Sequence, residues 1–121
     1  TIIACGELVR TALDTAEQLA KEGITIRVIN MHTIKPLDEE VIIKAAHETP
    51  FIVTLEEHSI YGGLGSAVAE VVIQNKPIPM KLLGIPDEPA IAGKSKEVFN
   101  HYGLEPNNIS SIIKKGIGKE V

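Results

Sequence analysis

Three short stretches of the sequence carry side chains that could do chemistry. In Cys5-Gly6-Glu7-Leu8-Val9-Arg10, four residues separate a thiol from a guanidinium. A thiolate closed by an arginine at such a spacing suits nucleophilic or sulfur-transfer chemistry. A reactive thiolate needs positive surroundings, however, and Glu7 opposes one. Arg10 also falls inside the helix that follows, so Cys5 reads as a small buried residue ending a strand. The second stretch is Glu56-Glu57-His58, and the third is Gly62-Gly63-Leu64-Gly65-Ser66. Backbone amides at a helix start can cradle a phosphate. A dinucleotide fingerprint also needs a third glycine, and the run from Gly63 reads Gly-Leu-Gly-Ser-Ala-Val. The glycines therefore read as a tight turn that lets a helix pack closely. Glu7, Glu57 and His58 could ligate a zinc or manganese ion by residue type. A Ser66, His58, Asp87 triad lacks the Gly-x-Ser-x-Gly elbow. A phosphoacceptor site would need an aspartate where the sequence has only Glu7, Glu56 and Glu57. His32, His47 and His101 read as structural, His47 suiting the end of a helix.

The elements that must hold these residues alternate between apolar runs and amphipathic periods, the signature of βα repetition. Strands are expected at residues 2–5, 24–30, 51–55 and 80–85. Helices are expected at 8–22, from Pro36 onward with Asp38 as cap, at 66–75, and near 95–102 and 106–115. Gly23 and Gly103 read as helix stops. Residues 86–94 form a proline-marked loop. The second strand alternates like a half-exposed edge, and the third is nearly all apolar, like a central strand. Right-handed crossovers then give a parallel sheet in the order 2-1-3-4, with room for a short extra edge strand. The expected fold is a three-layer αβα sandwich. Its topological switch lies between the first and third strands. Cys5-Gly6-Glu7 and residues 56–65 should face each other there across one crevice. That crevice gathers Glu7, Glu56, Glu57 and His58 with no lysine close in sequence. It repels anions and would accept a cation or a neighbour's arginine. Glu7, Glu57, His58, Gly62, Gly63 and Gly65 are accordingly the candidate interface residues.

The 121 residues fit one domain, 1–121, and 44% apolar residues supply a core. A net charge of −4 provides no basic footprint for nucleic acid or anionic lipid. No apolar run reaches the length of a membrane span. One cysteine excludes a disulfide framework and suits a reducing, cytoplasmic compartment. The chain opens directly on an apolar run without an initiator methionine, which reads as a domain excised from a larger chain.

Four segments, in order, resemble the C-terminal domain of transketolases. They are Thr1-Ile2-Ile3-Ala4-Cys5-Gly6-Glu7; Thr33-Ile34-Lys35-Pro36-Leu37-Asp38; Leu55-Glu56-Glu57-His58 with Gly62-Gly63-Leu64-Gly65; and Tyr102-Gly103-Leu104 before a closing helix. The same domain occurs in deoxyxylulose-phosphate synthases, to which Gly84-Ile85-Pro86-Asp87 is similar, and in 2-oxo acid dehydrogenase beta subunits. The resemblance implies an accessory domain of an enzyme that uses thiamine diphosphate and a divalent metal. Such enzymes transfer two-carbon ketol units between sugar phosphates in the pentose phosphate pathway. It implies a homodimer or split-subunit assembly and partners in neighbouring domains. No catalytic, cofactor or metal residue of the family maps onto this chain. An independent small-molecule module built on the 62–65 turn is the alternative of another class.

Overall fold

The computed structural model describes residues 1–32, 34, 36–59, 63–85 and 95–118, with the backbone alone for 58, 59, 95 and 96. Strands β1 (Ile2–Ala4), β2 (Val28–Asn30), β3 (Ile52–Ser59) and β4 (Met80–Ile85) alternate with helices α1 (Leu8–Ala20), α2 (Glu39–Glu48) and α3 (Leu64–Asn75). Helices α4 (Ser95–His101) and α5 (Pro106–Gly116) follow. The sheet order is β2-β1-β3-β4 with every pairing parallel, as the sequence implies. Among the described residues there is no fifth strand. The 86–94 loop lies outside them.

Two apolar clusters sandwich the sheet. Leu8, Ala12 and Leu19 of α1 join Ile109 and Ile113 of α5 against Ile2, Ala4, Val53 and Leu55. Ile42 and Ala46 of α2 join Val68, Val71 and Val72 of α3 against Ile3 and Ile52. Successive strand residues point to opposite faces, and β1 and residues 52–55 of β3 are buried on both. That double burial explains why residues 51–55 carry no outward polar stripe.

Local signals end the helices as the sequence suggests. After α1, Ile24 N–H donates to Leu19 O at 3.0 Å and Gly23 N–H to Ala20 O at 3.1 Å. Gly23 is left-handed at φ +80°. After α4, Leu104 N–H donates to Phe99 O at 2.7 Å, with Gly103 at φ +76°. Both are six-to-one closures in which glycine supplies the left-handed turn. Asp38 caps α2 by accepting from Val41 N–H at 3.3 Å.

Three boundaries differ from expectation, each for a local reason. The β2 ladder covers only residues 28–30, because the Ile24 amide is committed to closing α1. Strand β3 runs on to Ser59, since it regains β4 at Ser59 opposite Ile85 after an irregularity beyond Leu55. Helix α3 begins at Leu64, two residues early, because a carboxylate from β3 satisfies its first amides.

Candidate functional site

The crevice expected at the switch point is present. Strand β1 stops at Ala4, opposite Leu55, while β3 continues for four more residues. Glu56 and Glu57 therefore overhang the end of β1. Their consecutive positions send them to opposite faces of the sheet.

Glu57 turns toward α1. Its Oε1 accepts from Glu7 N–H at 2.7 Å. The same oxygen lies across Gly6, at φ +64°, where an added Cβ would come within 2.3 Å of it. Glycine is required there by both conformation and space. Glu7 contributes its backbone to this contact, and its side chain is exposed. Glu56 turns toward α3 and is fully buried. Its Oε1 accepts from Leu64 N–H at 2.9 Å and its Oε2 from Gly65 N–H at 2.8 Å. This corrects the expectation that Glu56 adds a free charge to the mouth. It acts as an internal cap, and buried charges persist in folded proteins when paired this way.

Helix α3 thus arrives at the crevice with its first two amides already bound to an anion. Gly65 is needed for packing instead. A Cβ there would meet Leu82 Cγ at 2.6 Å and Thr54 Oγ1 at 2.8 Å. Gly65 thus serves the close packing of a helix that the sequence suggests. Gly63 stands at the N-cap of α3. Gly62 lies outside the described residues, as does the His58 side chain, so the candidate cluster is placed in part only.

Cys5 sits between these acids. Its thiol approaches Leu55 O at 4.0 Å. Burial raises its pKa, and the carboxylates of Glu56 and Glu57 raise it further. Arg10 offers no help, because it pairs with Asp14 at 3.0 Å on the exposed face of α1. The thiol is therefore held in its unreactive protonated form. His101 packs edge-on against Tyr102, with ring centroids 4.9 Å apart.

Beside the mouth lies an open cavity of about 520 Å³, lined by Glu7, Arg10, Asp14, Phe99 and Glu105, among others. Its one cation is paired with Asp14. Glu105 is spent capping α5 through Asn107 and Asn108 N–H. A second groove, of about 310 Å³, lies at the opposite, amino ends of the strands, among Ile24, Ile26, Phe51, Ile113 and Ile117. Thr1, Thr25 and Thr49 also line it, and its described lining holds no carboxylate, imidazole or thiol. Among the described residues no three His, Cys, Asp or Glu side chains converge as metal ligands. A diphosphate would need free amide donors or cations. The donors here are already held by carboxylates, so these residues do not fit such a group.

Sequence reasoning missed the capping role of Glu56 and Glu57. The signal was available. Neither Glu7 nor Gly63 makes a side-chain cap for its own helix. Two adjacent acids at the end of a central strand could reach both helix starts.

Comparison with known proteins bears directly on this arrangement. The family profile "Transketolase, C-terminal domain" matches residues 1–109. One of the apulose-4-phosphate transketolase polypeptides of Phocaeicola vulgatus is 50% identical over 109 residues, covering 90% of this chain and 35% of that protein. The putative transketolase C-terminal section of Methanocaldococcus jannaschii is 46% identical over 122 residues, 99% of this chain and 37% of that protein. The 1-deoxy-D-xylulose-5-phosphate synthase of Heliobacterium modesticaldum is 40% identical, over 95% of this chain and 18% of its own. A solved split-gene transketolase, an inactive beta4 tetramer, superposes with a TM-score of 0.86 at 38% identity, covering 99% of this chain and 39% of that one. The chain spans little more than a third of the length of its transketolase relatives. A profile that takes in all four strands and the crevice between them places this chain in the transketolase C-terminal domain family.

Proposed function

We propose that the chain is one accessory domain of a longer, thiamine diphosphate-dependent transketolase. That enzyme would move two-carbon ketol units between sugar phosphates in the cytoplasm, within the pentose phosphate pathway. The domain binds neither cofactor nor metal and supports interdomain and dimer packing. One observation carries the reading: both helix starts at the switch point are closed by the chain's own carboxylates. At a mouth so filled the Glu7, Leu64 and Gly65 amides are not free to hold a phosphorylated ligand, while the Glu7 side chain remains exposed for a neighbour's cation. The same observation counts against an independent small-molecule module on the 62–65 turn. Relatives that are transketolase subunits, at 50% and 41% identity, favour a transketolase parent over a synthase, at 40%, by a small margin. Glu7, Glu57, His58, Gly62 and Gly63 form the proposed interface, while Gly65, expected there too, is buried behind it against Leu82 and Thr54. Calorimetric titration of thiamine diphosphate with magnesium into the chain should give no heat of binding. Saturable binding would sink the reading. Glu7→Ala should leave the chain's melting temperature nearly unchanged yet weaken assembly of the complete enzyme.

A further inference from the structure

Among the described residues the mouth is bounded by the turn from β1 into α1 and by the start of α3. Loops of this kind set their own spacing poorly. Gly6 is left-handed and carries no side chain, and α3 opens on Gly63-Leu64-Gly65. Neither α1 nor α3 has a side-chain cap from its own N-cap residue. Their acceptors come instead from β3, the inner strand between β1 and β4.

We propose that Glu56 and Glu57 are positioning residues, adjacent carboxylates on one central strand that fix the gap between the β1–α1 turn and the start of α3. The proposal rests on the reading above, that this mouth meets a neighbouring domain. Each carboxylate acts on a different loop. Glu57 holds the Glu7 amide at 2.7 Å, and the bulk of its carboxylate over Gly6 keeps that turn in one conformation. Glu56 holds Leu64 and Gly65 with both oxygens. Because one strand carries both, the loops move with the sheet rather than with each other. A partner surface then meets a preset spacing and loses less conformational freedom on docking.

The competing role for Glu57 is a direct ion pair to a partner's cation. Glutamine separates the two. It keeps an oxygen that can accept from Glu7 N–H and removes the charge. The experiment compares Glu57→Gln with Glu57→Ala by two readouts, amide exchange at Glu7 in the chain and assembly affinity of the complete enzyme. Positioning predicts that alanine lowers Glu7 protection and assembly affinity by about tenfold each, the worth of one charge-assisted hydrogen bond. It predicts that glutamine, which still accepts from Glu7 N–H without the charge, loses clearly less of both than alanine does. Equal damage from glutamine and alanine would overturn the proposal alone. Loss of Glu7 protection with assembly untouched would remove the interface reading, and the proposal with it. Glu56→Gln adds an independent check at the second loop. Its amide group would present a donor to Leu64 or Gly65 N–H, so protection there should fall even though the side-chain shape is kept. Unchanged exchange at both residues would also overturn the proposal.

Discussion

Individual residues at the mouth show how the fold engages side chains of reactive-looking type. Cys5 lies beside two carboxylates that disfavour its thiolate. Alkylation at neutral pH should therefore run slower than for free cysteine, and rapid labelling would contradict the geometry. Much of the site was legible from residue types. That acids disfavour a Cys5 thiolate was legible in the sequence, although the carboxylates that do so are Glu56 and Glu57 rather than Glu7. The engagement of Glu56 was not legible, because it depends on a strand overhanging its neighbour by a few residues.

Elements were easier to read than their ends. Apolar periodicity located the four strands and five helices of the described residues, most of which bury one face or two in the core. Boundaries slipped where a backbone amide found an unexpected partner, as at Ile24 and Leu64. Tight apposition of α3 on β4 depends on Gly65. Gly65→Ala must displace Leu82 or Thr54 and should cost about 1–3 kcal/mol. Thermal denaturation would reveal it, and a neutral result would mean that α3 can shift outward freely. Leu64, fully buried just before it, should cost about 2–5 kcal/mol when cut to alanine. The same logic applies at Gly116, where a Cβ would press into the Phe51 ring.

The whole molecule is a parallel sheet whose two inner strands lie far apart in sequence. Thr1 reaches Phe51 across a separation of 50 residues. No hairpin can start such a structure, so closure of a long loop must precede most of its rewards. A fragment ending with α2 has β1 and β2 but lacks the strand that covers β1's other side. It should show no cooperative melting by circular dichroism, whereas the full chain should. The middle position of β1 has a consequence for biosynthesis. A ribosome delivers residues at roughly 5–20 per second, so β1 waits some seconds before β3 emerges. During that interval an apolar strand with one bare edge is offered to whatever else is nearby, and a holdase or a second nascent chain competes with the partner still being made.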